Sequence, residues 1–153
     1  MSGFDIWDIM RSKRASFRIG GGDEGRPHIN IKIMGGDGVW RDLKILADSG
    51  NDITLLNATD GARNRLGMGP GESFGVEGIA DSARNYRMEE TWIKIGDLTP
   101  IKIPLGVETG QQQLDDSLLG REGAMEKYTT IYTGDQVIFL EKETGESCGV
   151  DCL

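Results

Sequence analysis

From Pro27 the chain alternates, with PHINIKIM setting Ile29, Ile31 and Ile33 against His28, Asn30 and Lys32. A period of two is the signature of a strand with one buried face. GGDG supplies a turn and Val39 to Ala47 returns as a second strand, which predicts a β-hairpin. Asp52 to Leu56 (DITLL) is a short β-prone run, and residues 57–68 read as loop with a helical turn. Ser73 to Gly96 contains two strands around GIADSA, and Thr99 to Val107 supplies another. After the polar ETGQQQLDDS come the apolar SLLG, the helix-compatible REGAMEKY, and two strand-like runs about Gly134-Asp135. Short strands joined by glycine-rich turns, with no internal repeat, predict an all-β fold, a small barrel or sandwich.

The ends differ from the middle. Residues 1–25 combine a short amphipathic segment (Phe4, Ile6, Trp7, Met10) with Gly20-Gly21-Gly22, and read as an N-terminal arm on a flexible joint. The domain is expected over 26–141, followed by a Glu-, Gly- and Ser-rich flexible tail, 142–153. A length of 153 residues suits one domain with one core, and 37% hydrophobic residues plus 23 glycines exclude disordered and collagen-like classes. No apolar run approaches membrane-spanning length, and MSGFDIWDIM carries Asp5 and Asp8 where a secretion signal needs apolar residues. The expectation is a soluble protein without a membrane partner, cytoplasmic, with a virion as the alternative compartment.

Charge removes another class. With a net charge of -8, the surface repels a phosphate backbone, so nucleic acid is not an expected partner. Arg11, Lys13, Arg14 and Arg18 form one local exception, read as a solvated leader in preference to a docking arm. Cys148, Cys152 and His28 are too few for a zinc quartet or a disulfide framework, so neither metal nor cofactor is expected. Catalysis, where present, then falls to carboxylates.

One stretch places a carboxylate in a defined context: Leu43-Lys44-Ile45-Leu46-Ala47-Asp48-Ser49-Gly50-Asn51-Asp52-Ile53-Thr54-Leu55-Leu56. An acidic-hydroxyl-glycine triplet between apolar strands holds an Asp at a tight turn that Gly permits and a hydroxyl braces. Such a triplet arises by chance in roughly one chain in fifteen to twenty of this length, so its surroundings decide. Downstream stand Ser117-Leu118-Leu119-Gly120-Arg121, between the two lies Gly75-Val76-Glu77-Gly78-Ile79-Ala80, and upstream lies Arg26-Pro27-His28-Ile29.

In that order the four blocks resemble the retropepsins, the retroviral-type aspartic peptidases: opening strand, catalytic triplet, glycine-rich flap, and apolar-apolar-Gly-Arg block. The resemblance covers about residues 26–141 and implies a small closed barrel with a flap hairpin and one short helix near the C-terminus. It further implies an aspartic endopeptidase in which Asp48 is catalytic. Since the chain has a single D-[ST]-G triplet and the chemistry uses two carboxylates, a homodimer acting on polypeptide is expected. Ser49 would brace the loop across the dimer axis and Gly50 would supply backbone near the carboxylates.

By the same resemblance Gly78 and Ile79 would form the flap tip, against the simpler reading of an ordinary hairpin turn. Leu55 and Leu118, with Leu119, would line or underlie substrate subsites, although apolar residues there are more often core. Asp52 and Arg121 would pair beneath the active loop, a pair that some relatives extend through an opening-strand arginine of the partner subunit, here Arg26. His28 is most simply a strand residue. Asn51 departs from the Ala or Ser common in relatives and would set an amide donor beside the dyad. Two other readings remain open at this point: a catalytically silent dimer of the same fold that binds peptide or serves assembly, and an unrelated β-barrel with a chance Asp-Ser-Gly loop.

Overall fold

The computed structural model describes residues 13–18, 26–67, 73–77 and 83–142. The opening hairpin is β2 (His28–Met34) and β3 (Trp40–Ala47), paired antiparallel from His28↔Leu46 to Met34↔Trp40. Its alternation works as the pattern demands, since Ile29, Ile31, Ile33, Leu43 and Ile45 are all at most 2% exposed. β4 (Thr54–Leu56) is followed by helix α1 (Ala58–Arg63), whose N-cap Asn57 accepts the Asp60 N–H at 2.8 Å. Then come β5 (Ser73–Glu77), β6 (Ala83–Lys94), β7 (Ile101–Glu108), β8 (Leu118–Leu119), β9 (Tyr128–Tyr132) and β10 (Gln136–Glu141).

Strands β2, β3, β8, β4, β7 and β6 neighbour one another in that order, and β2 pairs back onto β6 at Ile33↔Ile93, closing a six-stranded barrel. Full closure leaves these strands no open edge. The long β6 serves three neighbours: β7 along Tyr86 to Ile93, β2 at its end, and β5 at its beginning. β5 and the first part of β6 thereby form a hairpin that extends from the barrel, the flap of the expected fold.

Two elements differ from the pattern reading. Residues 14–18, assigned from sequence to an arm ahead of the domain, form β1 (Arg14–Arg18), which pairs with β10 in a second sheet ordered β1-β10-β9. Ala15 and Phe17 alternate with polar neighbours and pack on the core, and Phe17 meets Phe139 edge-on at 6.0 Å. The basic residues around them draw attention away from this two-residue apolar period. The helix-compatible stretch near the C-terminus is a single 3-10 turn, Met125–Lys127, and the α-helix lies earlier, at Ala58–Arg63. Gly123, held at φ 72° against Pro104, breaks REGAMEKY before a helix gains length.

Candidate active site

Asp48 leaves the end of β3 directly after buried Ala47, and a distant strand fixes where it goes. β8 runs parallel to β3 on one side (Leu46↔Leu118, Ala47↔Leu119) and antiparallel to β4 on the other (Leu55↔Leu118). The 48–53 loop must therefore cross over the end of β8 to reach β4. Its crossing is fastened at five points. The Asp48 N–H donates to the Leu119 carbonyl at 3.0 Å, the Asn51 and Asp52 carbonyls accept the Arg121 and Glu122 N–H groups at 2.9 and 2.8 Å, and the Ala47 N–H donates to the Pro27 carbonyl at 2.9 Å. Buried Thr54 accepts the Gly120 N–H through Oγ1 at 3.0 Å.

Gly120 is required here by space. A Cβ at that position would sit 2.4 Å from the Ile53 carbonyl group and 2.7 Å from the Thr54 nitrogen. At Gly50 the need is different, because its backbone lies outside the left-handed region and a Cβ would meet only Asp48 Oδ1 at 3.3 Å. The triplet's glycine thus leaves room for the carboxylate, which is a correction to the tight-turn reason drawn from sequence. Its N–H donates to that same Oδ1 at 3.1 Å, and the Asp48 carbonyl accepts the Asn51 N–H at 3.1 Å. Asp48 is half-buried, Ser49 and Gly50 are exposed, and among the described residues no basic side chain pairs with Asp48.

β8 is itself delivered by a buried polar lattice that pattern reading missed. Asn57 Nδ2 donates to the Asp115 carbonyl at 3.0 Å, and the Asn57 N–H donates to Ser117 Oγ at 3.0 Å. Ser117 Oγ in turn donates to Asp60 Oδ2 at 2.5 Å. Glu108, 5% exposed, accepts the Ala58, Gln113 and Leu114 N–H groups at 2.9 to 3.1 Å, pinning the loop that leads to β8. Nothing in the spacing of Asn57, Glu108 and Ser117 advertises that they meet.

The other sequence candidates are distributed unevenly. Arg121 and Asp52 form an ion pair at 2.8 Å, both exposed. Arg26 lies elsewhere within its own chain, 3.1 Å from Asp116, whose second oxygen meets His28 Nε2 at 3.1 Å. Leu55 is 7% exposed in a small cluster with Tyr86, Leu114 and Ile53, so it underlies rather than lines a surface, whereas Leu118 is half-buried. Asn51 turns its amide onto the Ile53 carbonyl, so the extra donor is used inside the loop. Gly78 and Ile79 lie outside the described residues.

Tyr132, at the end of β9, was not singled out from sequence, yet it stands at the triplet. Burial pushes its phenol up from the usual range, and the nearby Asp48 carboxylate raises it further. Its only sequence signal is an aromatic at the last position of a strand before a Thr-Gly-Asp turn. Among the described residues no three side chains are grouped to hold a metal ion, and no helix is long and apolar enough to cross a membrane.

This geometry has a counterpart among solved structures. The chain is similar to a retropepsin-like aspartic protease from Rickettsia conorii, with a TM-score of 0.64 and 19% identity over 85% of this chain and 93% of that one. A second similarity is to EIAV protease in complex with an inhibitor, with a TM-score of 0.46 and 22% identity over 68% of this chain and 89% of that one. No family model and no curated protein matches the sequence. At such identities the likeness is one of architecture: the protein has the retropepsin-like aspartic protease fold.

Proposed function

We propose that the chain is an aspartic endopeptidase that works as a homodimer, each subunit contributing one Asp48. The observation that carries this reading is the Asp48 turn: half-buried, strapped over β8, without a cationic partner among the described residues, in the fold of a protease. A carboxylate left free of guanidinium partners keeps its capacity to exchange a proton. Two such groups a few ångströms apart cannot both ionise cheaply, so the pair retains one proton between them. The ionised Asp48 takes a proton from a water that attacks the peptide carbonyl, while the protonated Asp48 of the other subunit donates to the carbonyl oxygen. No acyl-enzyme forms, and the amine leaves after receiving the proton gathered from water.

Substrate in this reading is an extended polypeptide held between the β5–β6 hairpin and the 48–53 loop. Leu118 and Ile53, each half-buried next to that loop, present apolar surface to its side chains, with Leu55 beneath. The test is cleavage of an unfolded protein across pH 3–8 by the wild type and by Asp48→Asn, with dimerisation followed by sedimentation. Expected is activity in acid that Asp48→Asn removes while the dimer persists. Cleavage by Asp48→Asn overturns the assignment; a well-formed wild-type dimer that cuts nothing in a broad peptide library supports a peptide-binding or assembly role instead.

A further inference from the structure

Strand β7 passes the candidate active site where Leu105 pairs with Thr54, and it begins four residues earlier at Ile101, opposite Ile93. At about 3.3 Å of rise per residue, the two places lie about 13 Å apart along the strand. Between the Ile101 end and the second sheet is a cavity of about 230 Å³ lined by Thr99, Ile101, Lys127, Tyr128, Glu141 and Lys142. Ile101 packs against the main core, the Tyr128 ring belongs to it at 5% exposure, and the lysines add methylene stems to the wall. The buried Tyr128 hydroxyl has no hydrogen-bond partner among the described residues, so this wall carries a donor that an incoming acceptor would satisfy.

The charge around the cavity runs against that of the molecule. The chain carries a net charge of -8, yet this end of the second sheet gathers Lys13, Arg14, Lys127 and Lys142 against Glu126 and Glu141. Lys13 belongs there because its carbonyl accepts the Glu141 N–H at 3.0 Å, and Arg14 because it pairs with Leu140. Both acids are already engaged: Glu141 Oε1 accepts the Thr99 N–H at 2.5 Å, and Glu126 Oε2 accepts the Gly123 N–H at 2.7 Å. Lys142 donates to the Glu126 carbonyl at 2.8 Å, while Lys127 makes no side-chain hydrogen bond or ion pair among the described residues. An apolar hollow with cations at its mouth selects a ligand that is apolar at one end and anionic at the other.

We propose that this cavity is a binding site for a small amphipathic carboxylate whose apolar part is the size of one ring, separate from the Asp48 site. Volume sets the size: an apolar cavity of about 150 Å³ holds a benzene ring, and drug-sized ligands occupy about 300 Å³ or more. A single ring with a short acidic arm falls between these limits. The ring lies against Ile101 and Tyr128, and the carboxylate meets the ammonium groups of Lys127 and Lys142. Such a ligand bridges the barrel and the second sheet, since Ile101 belongs to β7 whereas Tyr128 and Glu141 are cross-strand partners in β9 and β10. The site does not depend on Asp48 being catalytic.

The probe is phenylacetate at neutral pH, with phenylacetamide as the same shape without the charge, each titrated into the full chain and followed through backbone amide NMR shifts. Expected is saturable binding of phenylacetate with a Kd of about 0.1–1 mM, the range for a ligand of about ten heavy atoms, and shifts concentrated at 99–101, 127–128 and 141–142. Phenylacetamide is expected to bind about fivefold more weakly, the upper worth of an exposed ion pair. Lys127→Gln combined with Lys142→Gln is expected to remove that difference with the melting transition unchanged. Ile101→Trp, in molecules that keep the wild-type melting transition, fills the cavity and is expected to abolish binding of both. No saturable shift below about 10 mM, a concentration ten times the weakest expected Kd, overturns the proposal. So do shifts scattered away from the cavity, equal affinity for acid and amide, or undiminished phenylacetate binding in the double lysine variant. None of these readouts involves cleavage, so a failure of the protease reading and a failure of this site are told apart.

Discussion

Strand β3 has an aspartate turn at either end, and the two turns begin from the same local device. Asp37 Oδ1 accepts the Val39 N–H at 3.3 Å, and Asp48 Oδ1 accepts the Gly50 N–H at 3.1 Å, each a carboxylate folded back on the chain two residues on. What differs is the company. Arg41 grips both oxygens of Asp37 at 2.8 and 2.6 Å, with Arg65 at 3.6 Å, and holds that carboxyl well below the usual carboxylate range. The Asp48 carboxylate has no cationic partner among the described residues, and Arg121, whose N–H is bonded to the same loop at Asn51, is taken by Asp52. One carboxylate is locked as an anion by its neighbours; the other has no guanidinium across from it among the described residues. Local turn chemistry is thus common to a structural and a candidate catalytic aspartate, and electrostatic surroundings separate them.

The sharpest way to break this comparison is to neutralise each carboxylate in turn. Asp48→Asn is expected to cut peptide cleavage by several orders of magnitude, as removal of a catalytic group does, with the melting transition preserved. Asp37→Asn is expected to leave the cleavage rate within about twofold, since an exposed ion pair contributes little. Kinetics on one peptide substrate decides both. Equal losses would show that the distinction in surroundings is irrelevant.

Next in size come the glycines that let backbone cross at each turn. Gly120→Ala drives a Cβ to 2.4 Å from Ile53 backbone, and Gly36→Ala drives one to 2.0 Å from the Arg65 carbonyl. Each is expected to cost about 3 kcal/mol or more in urea unfolding, because backbone cannot yield as a side chain does. Among molecules that stay folded, only Gly120→Ala is expected to lose cleavage. Gly50→Ala is milder: its Cβ at 3.3 Å from Asp48 Oδ1 crowds the carboxylate. The expected outcome is a fall in kcat of up to about tenfold with unfolding free energy nearly unchanged, a 1.4 kcal/mol effect confined to the transition state.

β9 repeats the contrast on a smaller scale with its two tyrosines. Tyr132 is 45% exposed, whereas the Tyr128 hydroxyl is buried without a hydrogen-bond partner among the described residues, and burial with the nearby Glu141 charge pushes its pKa up to about 12. The folded protein then keeps the Tyr128 proton between about pH 10 and 12, where an unfolded chain releases it, so stability falls as pH rises through that window. Tyr128→Phe is expected to flatten that part of the decline and to be neutral or slightly stabilising at pH 7, which denaturant titrations at several pH values will check.

Much of this was legible without coordinates because it is written in neighbours. The β2–β3 hairpin follows from alternation about GGDG, and the Asp48 turn and Leu118-Leu119-Gly120-Arg121 block stand out as contiguous motifs. β1 was hidden because two apolar residues among arginines are a weak period, and REGAMEKY misled because composition tolerates a helix that Gly123 and Pro104 do not. At the site, the Asp52–Arg121 contact was implied by the family resemblance, but Thr54 under Gly120 and Asp116 between Arg26 and His28 could not be expected from the sequence.

The order of residues determined where strands begin, which face each turns inward, and that an aspartate stands on a glycine turn, since these depend on side chains within a few positions of one another. The path of β8 between β3 and β4, and the electrostatic company of each aspartate, were decided only when the barrel closed. Closure brings residues dozens of positions apart to within three ångströms, and the strength of a hydrogen bond or charge interaction depends on that distance rather than on sequence separation.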